Sequence, residues 1–221
     1  MNTQLGILFL HHKIDEVVLN NLSSIRAHNP EAILATISAE EPLPHGYTLE
    51  ATPELKRIHA SNPHRSSDWL VCSWFLQRKE QCRRWWIIEW DTFCRIPADQ
   101  YYAPVWDFPF VASQVFYRYR NPEWYWFSAT GNMPGEYRPY AMGASPFLYL
   151  LSETALSAIC NALLDKPFCA GNGELRFATV ANKCGYAPCG YSPPNDQITW
   201  ISWNSISDKQ TVFHPVKHIS S

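Results

Sequence analysis

Two short apolar runs open the chain. Leu5 to Leu10 is apolar at every position, as expected for a strand buried on both faces, and Ala32 to Ile37 repeats the pattern. Between them, Val17, Val18, Leu22 and Ile25 fall on one side of a helix over Ile14–Ala27. Strand, helix and strand within about forty residues predict a right-handed βαβ unit on a parallel sheet. Residues 40–63 are rich in Pro, Glu and His with little period, and predict a long loop with a short strand near Tyr47.

Ser66 or Ser67 can cap a helix running to about Gln81, with Asp68 in its positive first turn and Trp69, Leu70, Cys72, Ser73 and Leu76 on its inner face. Trp85 to Ile88 predicts a third buried strand, which ends in Glu89, Trp90 and Asp91. The segment from Cys94 to Tyr140 is aromatic and proline-rich, and its pattern does not order its strands. Ala141 to Leu150 predicts a strand or turn leading into a helix over Ser152–Asp165. A further helix is expected over Glu174–Lys183, preceded by Gly173 and ended by Gly185, with a late strand over Ile198–Trp203. The whole predicts one α/β domain with a mostly parallel central sheet flanked by helices.

Composition narrows the function. The 221 residues are 46% hydrophobic and carry a formal net charge of −2, so a sizeable core is expected and a basic field for a nucleic-acid backbone is not. Ten Trp, eleven Tyr and eleven Phe are a heavy aromatic load that core filling explains for the most part, but Trp124 to Phe127 is too dense for one buried strand face, so part of this cluster is expected to line a groove. Seven Cys without metal-ligand or disulfide-framework spacing read as reduced thiols of a cytoplasmic protein, a Cys184–Cys189 pair being the alternative. There is no basic leader and no apolar run of transmembrane length, so any membrane contact is expected to be peripheral.

The chemistry concentrates at the end of the third strand. Glu89 and Asp91 are two positions apart, so both carboxylates point to one side of an extended chain. They stand where open α/β sheets bind ligands, and two carboxylates there can share a divalent cation that neutralises a diphosphate. The stretch from Trp86 to Asp91 resembles the acid-x-acid motif of GT-A glycosyltransferases, with Glu in place of the first Asp.

That resemblance implies a GT-A-like domain spanning the chain, with residues 1–93 as the nucleotide-sugar half and 94–221 as the acceptor half and tail. It implies Mn²⁺ or Mg²⁺ on Asp91 and Glu89, a nucleoside diphosphate–sugar donor, most simply a UDP-sugar, and a glycan or other hydroxyl acceptor. Glu89 would also reach the ribose. The stretch from Gly173 to Tyr186 resembles the late helix of these enzymes, which places Glu174 as the general base of an inverting transfer. Phe213 to Lys217 resembles a C-terminal segment in which a His completes the metal site. His214 is then the third ligand and Lys217 a phosphate contact. By the strand-end rule His11 or His12 lines the nucleotide pocket, and Asp68 is a candidate contact to base or ribose. Two other readings are a nucleotidyltransferase of similar sheet topology, which the absence of a Gly-rich loop after the first strand disfavours, and a non-catalytic carbohydrate-binding module.

Overall fold

The computed structural model describes residues 5–50, 52–61, 66–145, 148–194, 196–198 and 211–216. Its first half follows the hydrophobic pattern. Strand β1 (Leu5–His11), helix α1 (Glu16–His28) and strand β2 (Ile33–Ser38) form the expected parallel unit, with the Asp15 side chain capping the helix by accepting from the Val18 N–H at 3.0 Å. Strand β3 (Tyr47–Thr48) pairs with β2.

The segment expected as a loop also contains helix α2 (Pro53–Ser61). Pro53 sits in its first turn and the Thr52 hydroxyl accepts from the Leu55 N–H. Among its described side chains only Leu55, Ile58 and His59 turn inward, too few positions to register as a period.

Helix α3 (Ser67–Gln77) ends a turn earlier than its apolar content suggests. It is buried from Asp68 to Trp74, whereas Leu76 is exposed, so it is a core helix covered nearly all round at its start. Strand β4 (Arg84–Glu89) lies in the middle of the sheet, with β1 parallel on one edge and β9 (Leu148–Ser152) antiparallel on the other.

The aromatic middle supplies β5 (Phe93–Cys94), the short helix α4 (Ala98–Tyr101), β6 (Phe110–Ala112), β7 (Val115–Tyr117) and β8 (Met142–Ala144), interleaved with 3₁₀ turns. Helix α5 (Glu153–Asp165) starts on Ser152, whose hydroxyl accepts from the Ala155 N–H. Helix α6 (Gly173–Lys183) starts on Asn172, one residue earlier than expected, and is followed by Gly185 at φ +84°. Strands β10 (Cys189–Gly190), β11 (Gln197–Ile198) and β12 (Val212–His214) complete the described elements. The remainder of the late strand, residues 199–203, lies outside them.

The main sheet has the order β10-β6-β9-β4-β1-β2-β3, and every strand in it except β9 runs in one direction. Strands from both halves of the chain therefore share one sheet. Side-chain alternation sends Leu8, Leu10, Trp85 and Ile87 to the face covered by α3, α5 and α6, and Ile7, Phe9, Trp86 and Ile88 to the face covered by α1 and α4. Gly6 is required by this packing, because a Cβ there would lie 2.4 Å from the Trp85 ring. Among the described residues no helix is long and apolar enough to cross a membrane. All seven cysteines are free.

One ion pair locks the helical layer. Arg176 of α6 donates from Nε and Nη2 to the two carboxylate oxygens of Asp68, each at 2.8 Å, and from Nη1 to the Gly171 carbonyl at 2.9 Å. Both residues are buried, so a charge left without its partner would be desolvated and uncompensated. Asp68→Ala is expected to lower unfolding stability by about 3–5 kcal/mol. Urea denaturation checks this, and a loss below about 1 kcal/mol would show that the pair contributes little beyond its packing.

Candidate active site

The acid pair leaves the sheet at a rigid point. The three carbonyls from Glu89 to Asp91 are all held: that of Glu89 accepts from the Thr92 N–H at 3.0 Å, that of Trp90 from Asn21 Nδ2 of α1 at 2.8 Å, and that of Asp91 from the Val216 N–H at 2.7 Å. The last bond ties the C-terminal segment to the motif. It is reinforced by β12, which pairs antiparallel with β5 directly after the motif, and by the Arg95 N–H bonded to the Thr211 carbonyl. Phe213 and Val216 are buried beside Phe93, so this segment packs as part of the core.

The consequence is a compact donor set. Ligand atoms of Glu89, Asp91 and His214 lie within 4.8 Å of one another, and His214 Nε2 is 3.5 Å from Asp91 Oδ1. Asp91 and His214 are buried, while Glu89 is partly exposed. Two carboxylates and one imidazole, with an open side, suit a borderline divalent cation such as Mn²⁺.

A cleft of about 490 Å³ opens beside the two carboxylates of this set. Its lining runs from Glu89, Trp90 and Asp91 across Leu10, His11 and His12 to Glu40 beyond β2 and to His59 and Ser67 of the helical layer. His12 meets the Trp90 ring edge-on at a centroid distance of 4.8 Å, and Lys13 Nζ lies 4.4 Å from the same ring while forming an ion pair with Asp15.

Glu174 stands at the first turn of α6, next to Gly173, which lines a narrow crevice with Leu10, Ser67 and Tyr149. Its Oε2 is buried without a hydrogen-bond partner. Burial pushes its carboxyl up to about 7, opposed by a hydrogen bond with Asn172. Burial first, and then the charges of Glu174, Glu89 and Asp68, push the Tyr149 hydroxyl up.

Of the residues singled out in the sequence, His11, His12, Glu89 and Asp91 line this cleft, His214 joins Glu89 and Asp91 in the donor set, and Glu174 opens α6 next to Gly173 of the crevice that shares Leu10 and Ser67 with the cleft. Asp68 is a correction. Both of its oxygens are engaged by Arg176 beneath the cleft, so it braces the helical layer and presents no free edge to a base or ribose. An acid in the first turn of a helix looks the same in sequence whether it faces a ligand or a buried arginine more than a hundred residues away. Lys217 and His218 lie outside the described residues. Glu40 and His59 were not foreseen. Glu40 follows the end of β2 and was open to the strand-end rule, whereas His59 sits on the helix that sequence pattern does not reveal. Trp124, Tyr125 and Phe127 border a separate surface cleft of about 530 Å³ with Arg118, and Trp124 is stacked on Phe116 at 4.5 Å.

The sheet order, with an acid pair emerging from its central parallel strand, defines a GT-A-like, Rossmann-related fold. The chain is similar to glucosyl-3-phosphoglycerate synthase from Mycobacterium tuberculosis, solved with Mn²⁺, uridine diphosphate and phosphoglyceric acid, over 87% of this chain and 72% of that one, at 10% identity and a TM-score of 0.50. Two further similar structures are the galactosyltransferase LgtC with donor and acceptor sugar analogues (87% and 75% covered, 10% identity, TM-score 0.47) and mouse xyloside xylosyltransferase 1 (89% and 88%, 12%, 0.46). At such identities the likeness concerns the fold. No protein-family model and no curated protein matches the sequence.

The raised Glu174 carboxyl has a stability signature. Its folded value lies above the ordinary 4.5, so the stability it allows is fully present below about pH 4.5 and is lost as pH rises through about 7. Glu174→Gln removes that loss. The variant should match the wild type near pH 4 and exceed it at pH 8 by on the order of 2 kcal/mol. Thermal melts across this range test it, and a difference independent of pH would contradict the burial of the carboxylate.

Proposed function

We propose that this protein is a divalent-metal-dependent glycosyltransferase that moves a sugar from a nucleoside diphosphate–sugar, a UDP-sugar in the simplest case, to a hydroxyl acceptor. The observation that carries the reading is the convergence of Glu89, Asp91 and His214 at the carboxyl end of β4, on a GT-A-like sheet. Both flanking segments of the chain are held in place there by backbone hydrogen bonds. The donor types fit Mn²⁺ or Mg²⁺, and such a cation supplies positive charge to the departing diphosphate.

The protein's own groups do the rest. Asp91 and His214, both largely shielded from water, hold the cation, and Glu89 shares it while reaching toward the ribose. Lys217, two residues beyond Pro215, contacts a phosphate. Glu174 is the general base: it takes the proton of the acceptor hydroxyl as that oxygen attacks, and a single displacement from the face opposite the diphosphate inverts the anomeric centre. A carboxyl raised to about 7 suits this role, because its conjugate base is present at neutral pH and basic enough to accept the proton. Residues 1–93 hold the donor, and residues 94–221 supply Glu174, His214 and the acceptor face.

Two outcomes are expected. Asp91→Asn weakens calorimetric binding of Mn²⁺ with UDP by at least about 10-fold while the urea midpoint stays within error of the wild type; undiminished affinity removes Asp91 from the site. Glu174→Gln lowers transfer by about 10²–10⁴-fold with the UDP dissociation constant unchanged, and wild-type turnover in that variant overturns the base assignment.

A further inference from the structure

His11 is the last residue of β1, almost wholly buried, yet it lines the cleft. Its two ring nitrogens are distinguished by their surroundings. Nδ1 lies 3.1 Å from the Lys13 carbonyl oxygen. A carbonyl can only accept, so Nδ1 carries the hydrogen. Burial, aided by His12 and opposed by the Lys13 carbonyl, holds the imidazole below its ordinary range, which keeps the ring neutral. Nε2 is therefore a bare lone pair. It is buried and meets no hydrogen-bond donor among the described residues. A buried acceptor left in this state is costly unless a ligand satisfies it.

The lone pair restricts what that ligand group can be. It repels phosphate oxygens, which are themselves acceptors, and His11 is not among the residues whose ligand atoms gather at the candidate metal site. An N–H or O–H is required. Side-chain alternation then separates the two ends of a donor. His11 follows Ile7 and Phe9 on the α1 face of the sheet, whereas Glu89 follows Trp85 and Ile87 on the face of α3 and α6, where Glu174 stands. A diphosphate over Glu89, Asp91 and His214 would then direct the transferred sugar to the face of Glu174 and the nucleoside to that of His11. Resting on the donor reading above, we infer that His11 Nε2 accepts a hydrogen bond from a ring N–H of the nucleobase. The site thereby selects an imide or lactam base, uracil or guanine, against cytosine and adenine, whose corresponding ring nitrogens carry no hydrogen.

Calorimetry on the full chain with saturating Mn²⁺ tests this with UDP, CDP, 3-methyl-UDP and 2′-deoxy-UDP, and with GDP and 1-methyl-GDP as the guanine pair. In the wild type, ring N-methylation or exchange of uracil for cytosine should each weaken binding by about 10- to 100-fold, while loss of the 2′-hydroxyl should not. In His11→Phe, which keeps a planar ring and removes the acceptor, UDP should fall to the affinity of CDP and CDP should hold its own. A methyl group that merely clashes would leave UDP and CDP distinct in that variant, which overturns the inference. Equal affinities for UDP, CDP and 3-methyl-UDP in the wild type overturn it as well, without touching the donor reading, as does a loss confined to 2′-deoxy-UDP, which would assign Nε2 to the ribose. The nucleotide comparison in the wild type stands even if His11→Phe does not fold. Failure of every nucleoside diphosphate to bind with Mn²⁺ would overturn the donor reading and this inference together.

Discussion

Strand β4 sets the constraint on which the rest of the structure depends. Its side chains are apolar or aromatic on both faces, and its backbone must find partners on both edges in an interior with no water to offer. Strand β1 satisfies one edge in parallel and β9 the other in antiparallel register, so the two halves of the chain meet on this one strand. The strand ends where its sequence turns acidic, and the polar groups that a buried strand cannot hold emerge there together. The three successive carbonyls bonded to Thr92, Asn21 and Val216 fix the direction of the carboxylates and recruit the tail. The candidate metal centre is thus a consequence of how one strand is terminated.

The electrostatic layout follows from differences in burial. Glu89 and Asp91 stand beside an imidazole at the mouth of the sheet, while Glu174 sits at the start of α6 with one buried oxygen lacking a partner. Carboxylates in two such environments differ: a pair beside an imidazole suits a cation, whereas burial with one oxygen unpartnered pushes the Glu174 carboxyl up to about 7. A fourth acid, Asp68, is engaged on both oxygens by a bidentate arginine. The four acids differ in what each can pair with.

Much of this was legible in the sequence, for identifiable reasons. Strands β1, β2 and β4 are unbroken apolar runs because parallel strands are covered on both faces, and α1, α5 and α6 show an apolar stripe or a capping residue. Glu89 and Asp91 could be found because a buried strand points at them. His214 was found through resemblance, since the pairing of β12 with β5 brings together residues more than a hundred positions apart. Helix α2 was hidden because two apolar anchors and a histidine do not make a period. The middle segment was hidden because its strands are three residues or fewer and are held by contacts with β8 and β9 rather than by local preference. The pairing of Asp68 with Arg176 was hidden for the same physical reason, being a purely tertiary contact.

The central claim is that Glu89, Asp91 and His214 form one cation site at the end of β4. Anomalous diffraction at the manganese edge, from crystals grown with Mn²⁺ and UDP, tests it most directly. A single strong peak within coordinating distance of all three side chains, with the diphosphate on its open side, is the predicted result. A peak elsewhere in the molecule, or bound UDP with no peak among these three residues, would contradict it.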